Sequence, residues 1–220
     1  MTRRPYIHEL LDAGQAPPEE VARSLADLRR YNLWLGGRRV LLGLLAAEVR
    51  RAGLREFSLL DVGAGSGDLA AAVGRRFPLA RVVLCDLKPN HLPPGRLSVA
   101  ASAETLPFGD RSFDFVSASL LLHHFRDADA ARLLGLFRRI ARSAVLVNDL
   151  ERHWFPLWFL RATMPVFARS HLTRHDGPAS VRQAFRPEEL RTLARTAGFS
   201  DFSVRRHRPW FRLSLVGRNA

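Results

Sequence analysis

A glycine-rich turn between an apolar strand and a helix constrains the fold of this chain more than any other feature. A strand is predicted at 57–62, glycines follow at Gly63, Gly65 and Gly67, and a helix is predicted over 68–77. Alternate glycines permit a tight turn and let a ligand approach the bare backbone, while the following helix presents free amides. The pattern indicates either a site for a nucleotide-like ligand or a purely structural turn.

Asp86 is the second element of this predicted ligand site. It follows the apolar segment 82–85, 19 residues after Gly67, and so lies at the carboxyl end of the next predicted strand. A carboxylate at that position can accept hydrogen bonds from both hydroxyls of a ribose, although a strand-end Asp can also cap a turn. Asp68 stands where a dinucleotide fingerprint has its third glycine, so the spacing is not that of a dinucleotide site.

Strands and helices alternate along most of the chain. The predicted strands cover 57–62, 81–85, 97–100, 113–117, 144–148, 202–206 and 211–216. The predicted helices cover 5–11, 68–77, a segment ending at Ile140, 187–197, and a long region at 19–52 that Gly36 and Gly37 divide. This alternation predicts an α/β fold, a doubly wound parallel sheet with helices on both faces. We expect a single domain over 1–220.

The composition excludes several classes of protein. With 220 residues, 47% of them apolar, the chain can bury a full core, which excludes disorder and fibres. Cys85 is the only cysteine, and no apolar run reaches the roughly 18 residues of a membrane span, so we expect a cytoplasmic protein. The net charge of +13 comes from arginines spread along the chain, not from a basic block, so we expect no nucleic-acid partner.

Four sequence blocks together resemble the class I S-adenosylmethionine-dependent methyltransferases, specifically the UbiE-like, methyltransferase type 11 group. The blocks are 61–67, Asp86, 103–108, and 112–116 leading into 121–125. The resemblance implies a Rossmann-like, mostly parallel sheet of seven strands with a reversed last hairpin. It also implies S-adenosyl-L-methionine as the cofactor and S-adenosyl-L-homocysteine as the product.

The same resemblance implies a set of cofactor-binding residues. They are Asp61, Gly63, Ala64, Gly65, Gly67, Asp86, Leu87, Ser102, Ala103, Glu104 and Ser119. In this reading Asp61 and the glycines lie beside the methionine and ribose parts, Asp86 binds the ribose, and the turn at 102–104 faces the adenine. Ser102 departs from the family, which commonly has Asp there, and its hydroxyl should bind the adenine amine more weakly than a carboxylate would.

Two adjacent histidines are the first catalytic candidates. Methyl transfer requires alignment and exclusion of water, and only a protonated acceptor such as a hydroxyl needs a base. His123 and His124 follow the fourth predicted strand, where the cofactor's methyl group should project, and an imidazole can deprotonate a phenol near neutral pH. Alternatively, one histidine packs on the adenine side and the other caps the next helix.

Asp149 and His175 complete the set of catalytic candidates. Asp149 follows the fifth strand at the same sheet edge, where it could orient a base or an acceptor, or simply cap the next helix. His175 precedes Asp176, and together with His171 this polar group could line an acceptor site or form a solvated loop before Gly177.

We expect neither a metal ion nor a flipped nucleobase at this site. Asn148 and Asp149 supply too few oxygen ligands for the magnesium site that catechol-type methyltransferases carry near the fifth strand. The segment 117–120 lacks the Asn-Pro-Pro-Tyr-like block of the DNA enzymes that methylate amino groups.

The segment 154–167 is the most apolar part of the chain outside the strands, and it lies in an insertion-like region at 151–180. Class I folds commonly carry their acceptor-binding cover here, and aromatic walls suit a flat, hydrophobic acceptor. We therefore expect a small phenolic or quinone-like acceptor. The segment could instead be a lid helix that touches no substrate, or it could dock on a membrane surface.

Segments outside the core resemble a subset of bacterial methyltransferases encoded with type III polyketide synthases. These segments are 28–37, 148–150 and 174–177. That subset is thought to alkylate phenolic lipids and pyrones on oxygen. The resemblance implies a helical lid at 1–52 that closes over the cofactor, with Arg38 and Tyr31 among the candidates for contacting the methionine carboxylate.

Three functions follow from this reading. The first is O-methylation of a small aromatic or phenolic, polyketide-like acceptor in secondary metabolism, and the second is C-methylation of a quinone precursor. The third is a protein that binds the cofactor or a partner without turnover, which the intact Asp61, glycines and Asp86 argue against.

Overall fold

A seven-stranded sheet organises the chain in this computed structural model, which describes residues 4–219. Its strands are β1 (Phe57–Val62), β2 (Ala80–Asp86), β3 (Ser98–Ala100), β4 (Phe113–Ser119), β5 (Ala141–Leu150), β6 (Asp201–His207) and β7 (Arg212–Arg218). The spatial order is β3-β2-β1-β4-β5-β7-β6. Strand β7 runs antiparallel to β5 and β6, and the remaining pairs are parallel, which confirms the predicted fold class.

Helices cover both faces of the sheet. They are α1 (Leu10–Ala13), α2 (Pro18–Trp34), α3 (Gly37–Arg51), α4 (Asp68–Arg76), α5 (Asp127–Ile140), α6 (Trp154–Phe167), α7 (His171–Gln183) and α8 (Pro187–Thr196). Leu60 and Val62 of β1 share a core with α5 and α8, whereas Phe57 and Leu59 share one with α3 and α4. Because successive side chains of a strand point to opposite faces, a strand covered on both sides is apolar throughout. None of the helices in the described part of the chain has the length and apolarity to cross a bilayer.

The site-forming edge of the sheet lies where the strand order reverses. Strand β1 pairs with β2 on one side and with β4 on the other, and all three are parallel. A crevice forms beyond the carboxyl ends of strands at such a switch point. The turn after β1 therefore opens into a crevice that the residues following β2 and β4 also border.

The predicted helix over 5–11 is wrong. Only α1 is helical there, and Glu9 before it is extended. Side chains of α7 supply the hydrogen bonds that a helix would have made: Asp176 accepts from the Leu10 amide at 2.8 Å, and Gln183 Oε1 accepts from the Ile7 amide at 3.1 Å. Tertiary contacts thus override the local helical pattern.

The region 151–180 is also more regular than the sequence indicated. It folds as most of two helices, α6 and α7, and α7 continues through Gly177 and Pro178. The alternative of a solvated loop before Gly177 is therefore wrong. By contrast, the predicted division of the helical region at 19–52 is confirmed, because α2 ends at Trp34 and Gly36 adopts a left-handed conformation, with φ of 65°.

Gly67→Ala is expected to destabilise the protein by about 2 kcal/mol or more, because strain and overpacking add. Gly67 has φ of 67°, and an added Cβ would lie 2.9 Å from Pro93 Cγ and 3.0 Å from Leu84 Cδ1. Gly74→Ala is the matched control, since it lies in α4 and an added Cβ meets no atom within 4 Å. Alanine at that helical position should stabilise by about 0.5–1 kcal/mol.

Urea unfolding followed by circular dichroism gives both free energies of unfolding. A Gly67→Ala protein as stable as the wild type would contradict the strained turn seen here.

Candidate functional site

A cavity of about 390 Å³ lies beyond the carboxyl ends of β1, β2 and β4. Val62 and the turn after β1 form part of its wall, as do Asp86 at the end of β2 and Leu121 after β4. Helices α2, α6 and α7 cover it, and α6 contributes Phe159 and Leu160. The cavity is mostly apolar and is large enough for a small organic ligand.

The structure brings most of the predicted cofactor-binding residues to this cavity. Those on its wall are Gly63, Gly65, Asp86, Leu87, Ser102, Ala103 and Glu104. Those outside the lining are Arg38, Asp61, Ala64, Gly67 and Ser119. An added Cβ at Gly65 would meet no atom within 4 Å, so the backbone there faces open space.

Asp86 ties the glycine turn to the end of β2. Its Oδ2 accepts a hydrogen bond from the Gly65 amide at 2.9 Å, and its Oδ1 accepts from the Lys88 amide at 3.0 Å. His91 Nδ1 lies 3.4 Å from Oδ1. Burial acts to raise the pKa of Asp86, but these hydrogen bonds outweigh it and hold the pKa below its usual value. Asp86 is therefore an anion on the cavity wall at neutral pH.

Asp61 lies beneath the turn and is only 3% exposed. Ser117 on β4 donates its hydroxyl to Asp61 Oδ1 at 2.8 Å. Burial raises the pKa of Asp61 to about 7, and the nearby charges of Asp68 and Asp86 act in the same direction. The two strand-end carboxylates therefore differ in charge at pH 6, with Asp86 ionised and Asp61 mostly protonated.

Ser102 and Ser119 hold local structure. Ser102 Oγ accepts a hydrogen bond from the Glu104 amide at 3.2 Å, which closes the turn that follows β3. Ser119 Oγ accepts one from Asn148 Nδ2 at 3.0 Å and so joins the ends of β4 and β5. Arg38 is partly buried in the first turn of α3.

A cluster of charged side chains forms where the chain leaves β4. His123 Nδ1 lies 2.6 Å from Asp149 Oδ1, and His123 Nε2 lies 3.6 Å from Glu9 Oε1. His124 Nδ1 lies 2.7 Å from Asp12 Oδ2, and its ring centroid lies 4.3 Å from that of His123. Both histidines and Glu9 line the cavity, whereas Asp149 is buried behind His123.

The charge of His123 follows from these neighbours. Burial acts to lower its pKa, but the carboxylates of Asp149 and Glu9 outweigh that effect and raise the pKa to about 10. His123 is therefore a cation at neutral pH. Nitrogen and oxygen atoms of Glu9, His123 and His124 lie within 4.8 Å of one another, so these three side chains could also hold a divalent metal ion.

His175 is not brought to the cavity wall. Its ring is half exposed, and its Nδ1 lies 2.9 Å from Asp176 Oδ1. Asp176 does line the cavity, and its two carboxylate oxygens accept hydrogen bonds from the amides of Leu10 and Leu11. Asp176 of α7 therefore anchors the N-terminal segment.

Sequence reasoning missed Glu9, Arg212 and the aromatic pair Trp210 and Phe211, all of which line the cavity. Glu9 lies in the segment that was expected to be a helix, and no spacing links it to His123. The other three belong to the β6–β7 connection and the start of β7, where the only signal is that the reversed strand ends beside β5.

Comparison with known proteins gives consistent results. The model of the methyltransferase-domain family matches residues 60–146. A demethylmenaquinone methyltransferase of Chlorobaculum tepidum is 29% identical over 202 residues, which cover 84% of this chain and 80% of the relative. Another from a Roseiflexus species is 30% identical over 176 residues, which cover 66% of this chain and 69% of the relative.

Solved structures share the fold at low sequence identity. The plantazolicin methyltransferase BpumL, solved with a triazolic desmethyl analogue and SAH, has a TM-score of 0.70 at 12% identity, covering 96% of this chain and 95% of BpumL. Human N-acetylserotonin methyltransferase, solved with SAM, has a TM-score of 0.63 at 17% identity, covering 99% of this chain and 63% of that protein.

A seven-stranded sheet with a reversed last hairpin and a glycine turn beside a strand-end carboxylate defines a class I methyltransferase fold. Within that class, this chain belongs to the UbiE-like S-adenosylmethionine-dependent methyltransferases. Its cofactor is S-adenosylmethionine. The association with type III polyketide synthases stays a prediction.

The cavity fits this cofactor. The anionic Asp86 offers a carboxylate to ribose hydroxyls, and the open backbone at Gly65 leaves room for the ligand to approach the turn. Ser102, Ala103 and Glu104 supply a neighbouring wall on which a base can lie. The carboxylate and the open space at this end of the cavity are thus compatible with the adenosine part of the cofactor.

Asp61→Asn is expected to make the unliganded protein more stable than the wild type above neutral pH. The pKa of Asp61 is about 7 in the folded protein, against an ordinary value of 3.8 in the unfolded chain. Between about pH 4 and pH 7 the unfolded chain loses this proton while the folded wild type keeps it, so the wild type loses on the order of 4 kcal/mol of stability over that range. Asparagine carries no charge and still accepts the hydrogen bond from Ser117.

Urea unfolding at several pH values measures the difference in free energy of unfolding between Asp61→Asn and the wild type. This difference should be near zero at the lowest pH and grow as the pH rises. Asp110→Asn, a change at an exposed carboxylate, should leave the difference from the wild type nearly constant. A pH-independent difference for Asp61→Asn would show that Asp61 does not titrate in this range.

Proposed function

We propose that this chain transfers the methyl group of S-adenosylmethionine to a hydroxyl of a small aromatic or phenolic acceptor. The observation that carries the proposal is the continuity of the cavity. It runs from the glycine turn and Asp86 to an apolar chamber in which Phe159 and Phe211 face each other at 5.4 Å between ring centroids. His123 and His124 line the same cavity.

The cofactor end of the cavity is assigned to residues that follow β1, β2 and β3. Asp86 accepts hydrogen bonds from the ribose, the backbone at Gly63 and Gly65 borders the methionine part, and the segment 102–104 borders the adenine. Gly67, Ala64 and Asp61 do not line the cavity, and we assign them the role of shaping and supporting the turn. We keep Arg38 and Ser119 as cofactor-side candidates on the sequence resemblance alone, whereas Leu87 also lines the cavity.

The acceptor end is assigned to α6, α7 and the start of β7. Pro156, Phe159 and Leu160 of α6 line the cavity, whereas Trp154 and Trp158 on the same helix are exposed. Helix α6 therefore presents an apolar face to the ligand. Aromatic and aliphatic walls favour a flat, hydrophobic acceptor and exclude water from the reacting groups.

The bound cofactor supplies a methyl group on a positively charged sulfur. The charged cluster can take up the proton that an acceptor hydroxyl loses. Asp12 accepts from His124 Nδ1 and so orients that ring, whose Nε2 lies 3.8 Å from Glu9 Oε2. His123 is held as a cation between Asp149 and Glu9, so it favours an acceptor oxygen in its anionic form. We therefore assign proton acceptance to His124 and charge stabilisation to His123, while His175 stays a sequence-based candidate.

C-methylation of a quinone precursor is the second candidate function. The names of the Chlorobaculum and Roseiflexus relatives favour it, because both are demethylmenaquinone methyltransferases. An activated ring carbon needs the same apolar walls and the same cofactor end. The two functions therefore differ in the product and not in the site residues.

Methyl transfer can be tested with a phenol, its methyl ether and a hydroquinone as acceptors, with the products identified by mass spectrometry and NMR. We expect an ether from the phenol and no product from the methyl ether. Asp86→Asn should weaken S-adenosylhomocysteine binding roughly tenfold to a hundredfold, since it removes a charged hydrogen-bond partner. Asp110→Asn, on the exposed surface, is the matched control.

A ring-methylated product from the hydroquinone, without any ether, would replace the first function by the second. Cofactor binding without transfer to any acceptor would support a non-catalytic protein instead.

EDTA treatment is expected to leave the methyl-transfer rate unchanged within about twofold, because a cation would have to displace the proton held by His123. The raised pKa of His123 and its contacts with Asp149 and Glu9 favour that proton over a metal ion. Rates are compared before and after chelation, with magnesium or zinc added back. A rate lost on chelation and restored by one metal would contradict this assignment.

A further inference from the structure

Arg212 is a buried cation that forms no salt bridge with another residue in the described part of the chain. It lies at the start of β7 and is 1% exposed. Its Nε donates to the Leu35 carbonyl at 3.4 Å, and its Nη1 has no hydrogen-bond partner among residues 4–219. A buried guanidinium is costly unless an anion neutralises it. The cavity that Arg212 lines is the place from which such an anion can come.

Asp149 does not fill this role. Its charge acts on Arg212, but its oxygens accept hydrogen bonds from His123 Nδ1 and from the amides of His123 and Leu150. Burial lowers the pKa of Arg212 to about 10, which still leaves the side chain charged at neutral pH. The positive charge therefore remains available to a ligand.

The guanidinium of Arg212 lies beside the junction of α2 and α3. The missing side chain of Gly37 lets the guanidinium approach, since an added Cβ would lie 3.1 Å from Arg212 Cζ. A neutral amide oxygen, such as the unpartnered Oδ1 of Asn32 beside Gly37, offers a hydrogen bond but no neutralising charge.

The position of Arg212 in the sheet points to the acceptor. The sheet order is β2-β1-β4-β5-β7, so Arg212 lies three strands from the glycine turn, about 14 Å along the sheet. Asp86 lies one strand beyond that turn on the opposite side. Phe211, next to Arg212 in sequence, packs against Phe155 and Phe159 of α6. Arg212 thus belongs to the apolar end of the cavity.

We propose that Arg212 forms a buried subsite for a carboxylate-type anion, and that this anion is an acidic group on the acceptor. The inference rests on the proposed function, because it names the class of acceptor: an aromatic compound with a carboxylate or an ionised enol besides the reacting hydroxyl. The acidic group pairs with the guanidinium of Arg212, whose Nη1 has no other partner among the described residues. The aromatic ring then lies between the walls of α6 and β7.

The test measures binding by calorimetry in the presence of S-adenosylhomocysteine, so that no turnover occurs. The probes are a hydroxyaryl carboxylic acid and its primary amide. Wild-type protein should bind the acid roughly tenfold or more tightly than the amide, since only the acid neutralises the guanidinium. Arg212→Met should abolish that preference. Arg205→Met, a change at an exposed arginine of β6, should keep it.

Equal affinity for acid and amide in the wild type, or a preference that survives Arg212→Met, would overturn the subsite. Arg212→Met is expected to fold, because an apolar side chain replaces an unpaired buried charge. The comparison of acid and amide on the wild-type protein is a readout that does not depend on any variant.

Two further measurements distinguish the possible sources of the anion, and they distinguish the subsite from the proposed function. S-adenosylhomocysteine and methylthioadenosine differ in the amino-acid end of the cofactor. If Arg212→Met weakens binding of S-adenosylhomocysteine but not of methylthioadenosine, the anion is the carboxylate of the cofactor's amino-acid end. The assignment of the anion to the acceptor is then wrong. Methyl transfer to neutral phenols without any preference for acids would refute this subsite while leaving the proposed function intact. A preference for the acid without any methyl transfer would support this subsite and refute the proposed function.

Discussion

The parallel pairing of β1 with both β2 and β4 is the constraint on which the site depends. It aligns the carboxyl ends of three strands, so that residues far apart in sequence leave the sheet at one edge. The glycine turn begins directly after β1, Asp86 is the last residue of β2, and His123 lies in the segment that follows β4. Hydrogen bonds from the Gly63 and Ala64 amides to the Cys85 carbonyl then fix the turn against β2. The strand order therefore determines where the cavity forms, and the side chains determine how that cavity is lined.

Much of this architecture could be predicted from the sequence because its signals are local. Apolar runs of strand length, separated by helical patterns, predicted all seven strands to within a few residues, and Gly36 predicted the break between α2 and α3. Asp86 could be located because a strand end is readable from its own neighbours. Motif resemblance then identified the cofactor, which no periodicity could do.

The remaining features depend on contacts between distant segments. Glu9 meets His123 only because Asp176 and Gln183 of α7 hold the N-terminal segment extended. Arg212 reaches the cavity because the reversed β7 starts beside the end of β5. Neither placement has a sequence spacing that could have indicated it. The error over 5–11 has the same cause, since side chains on α7 replaced the helical hydrogen bonds.

The segment that carries Glu9 and Asp12 also closes one side of the cavity. It is fastened by Asp176, and by Lys88, whose Nζ donates to the Leu11 and Asp12 carbonyls at 2.6 and 3.1 Å. Any opening of this segment removes both carboxylates from the two histidines at the same moment. A ligand that entered by that route would therefore pass while the contacts of Glu9 with His123 and of Asp12 with His124 are broken. One short segment thus supplies both a wall of the cavity and the carboxylates that contact the two histidines.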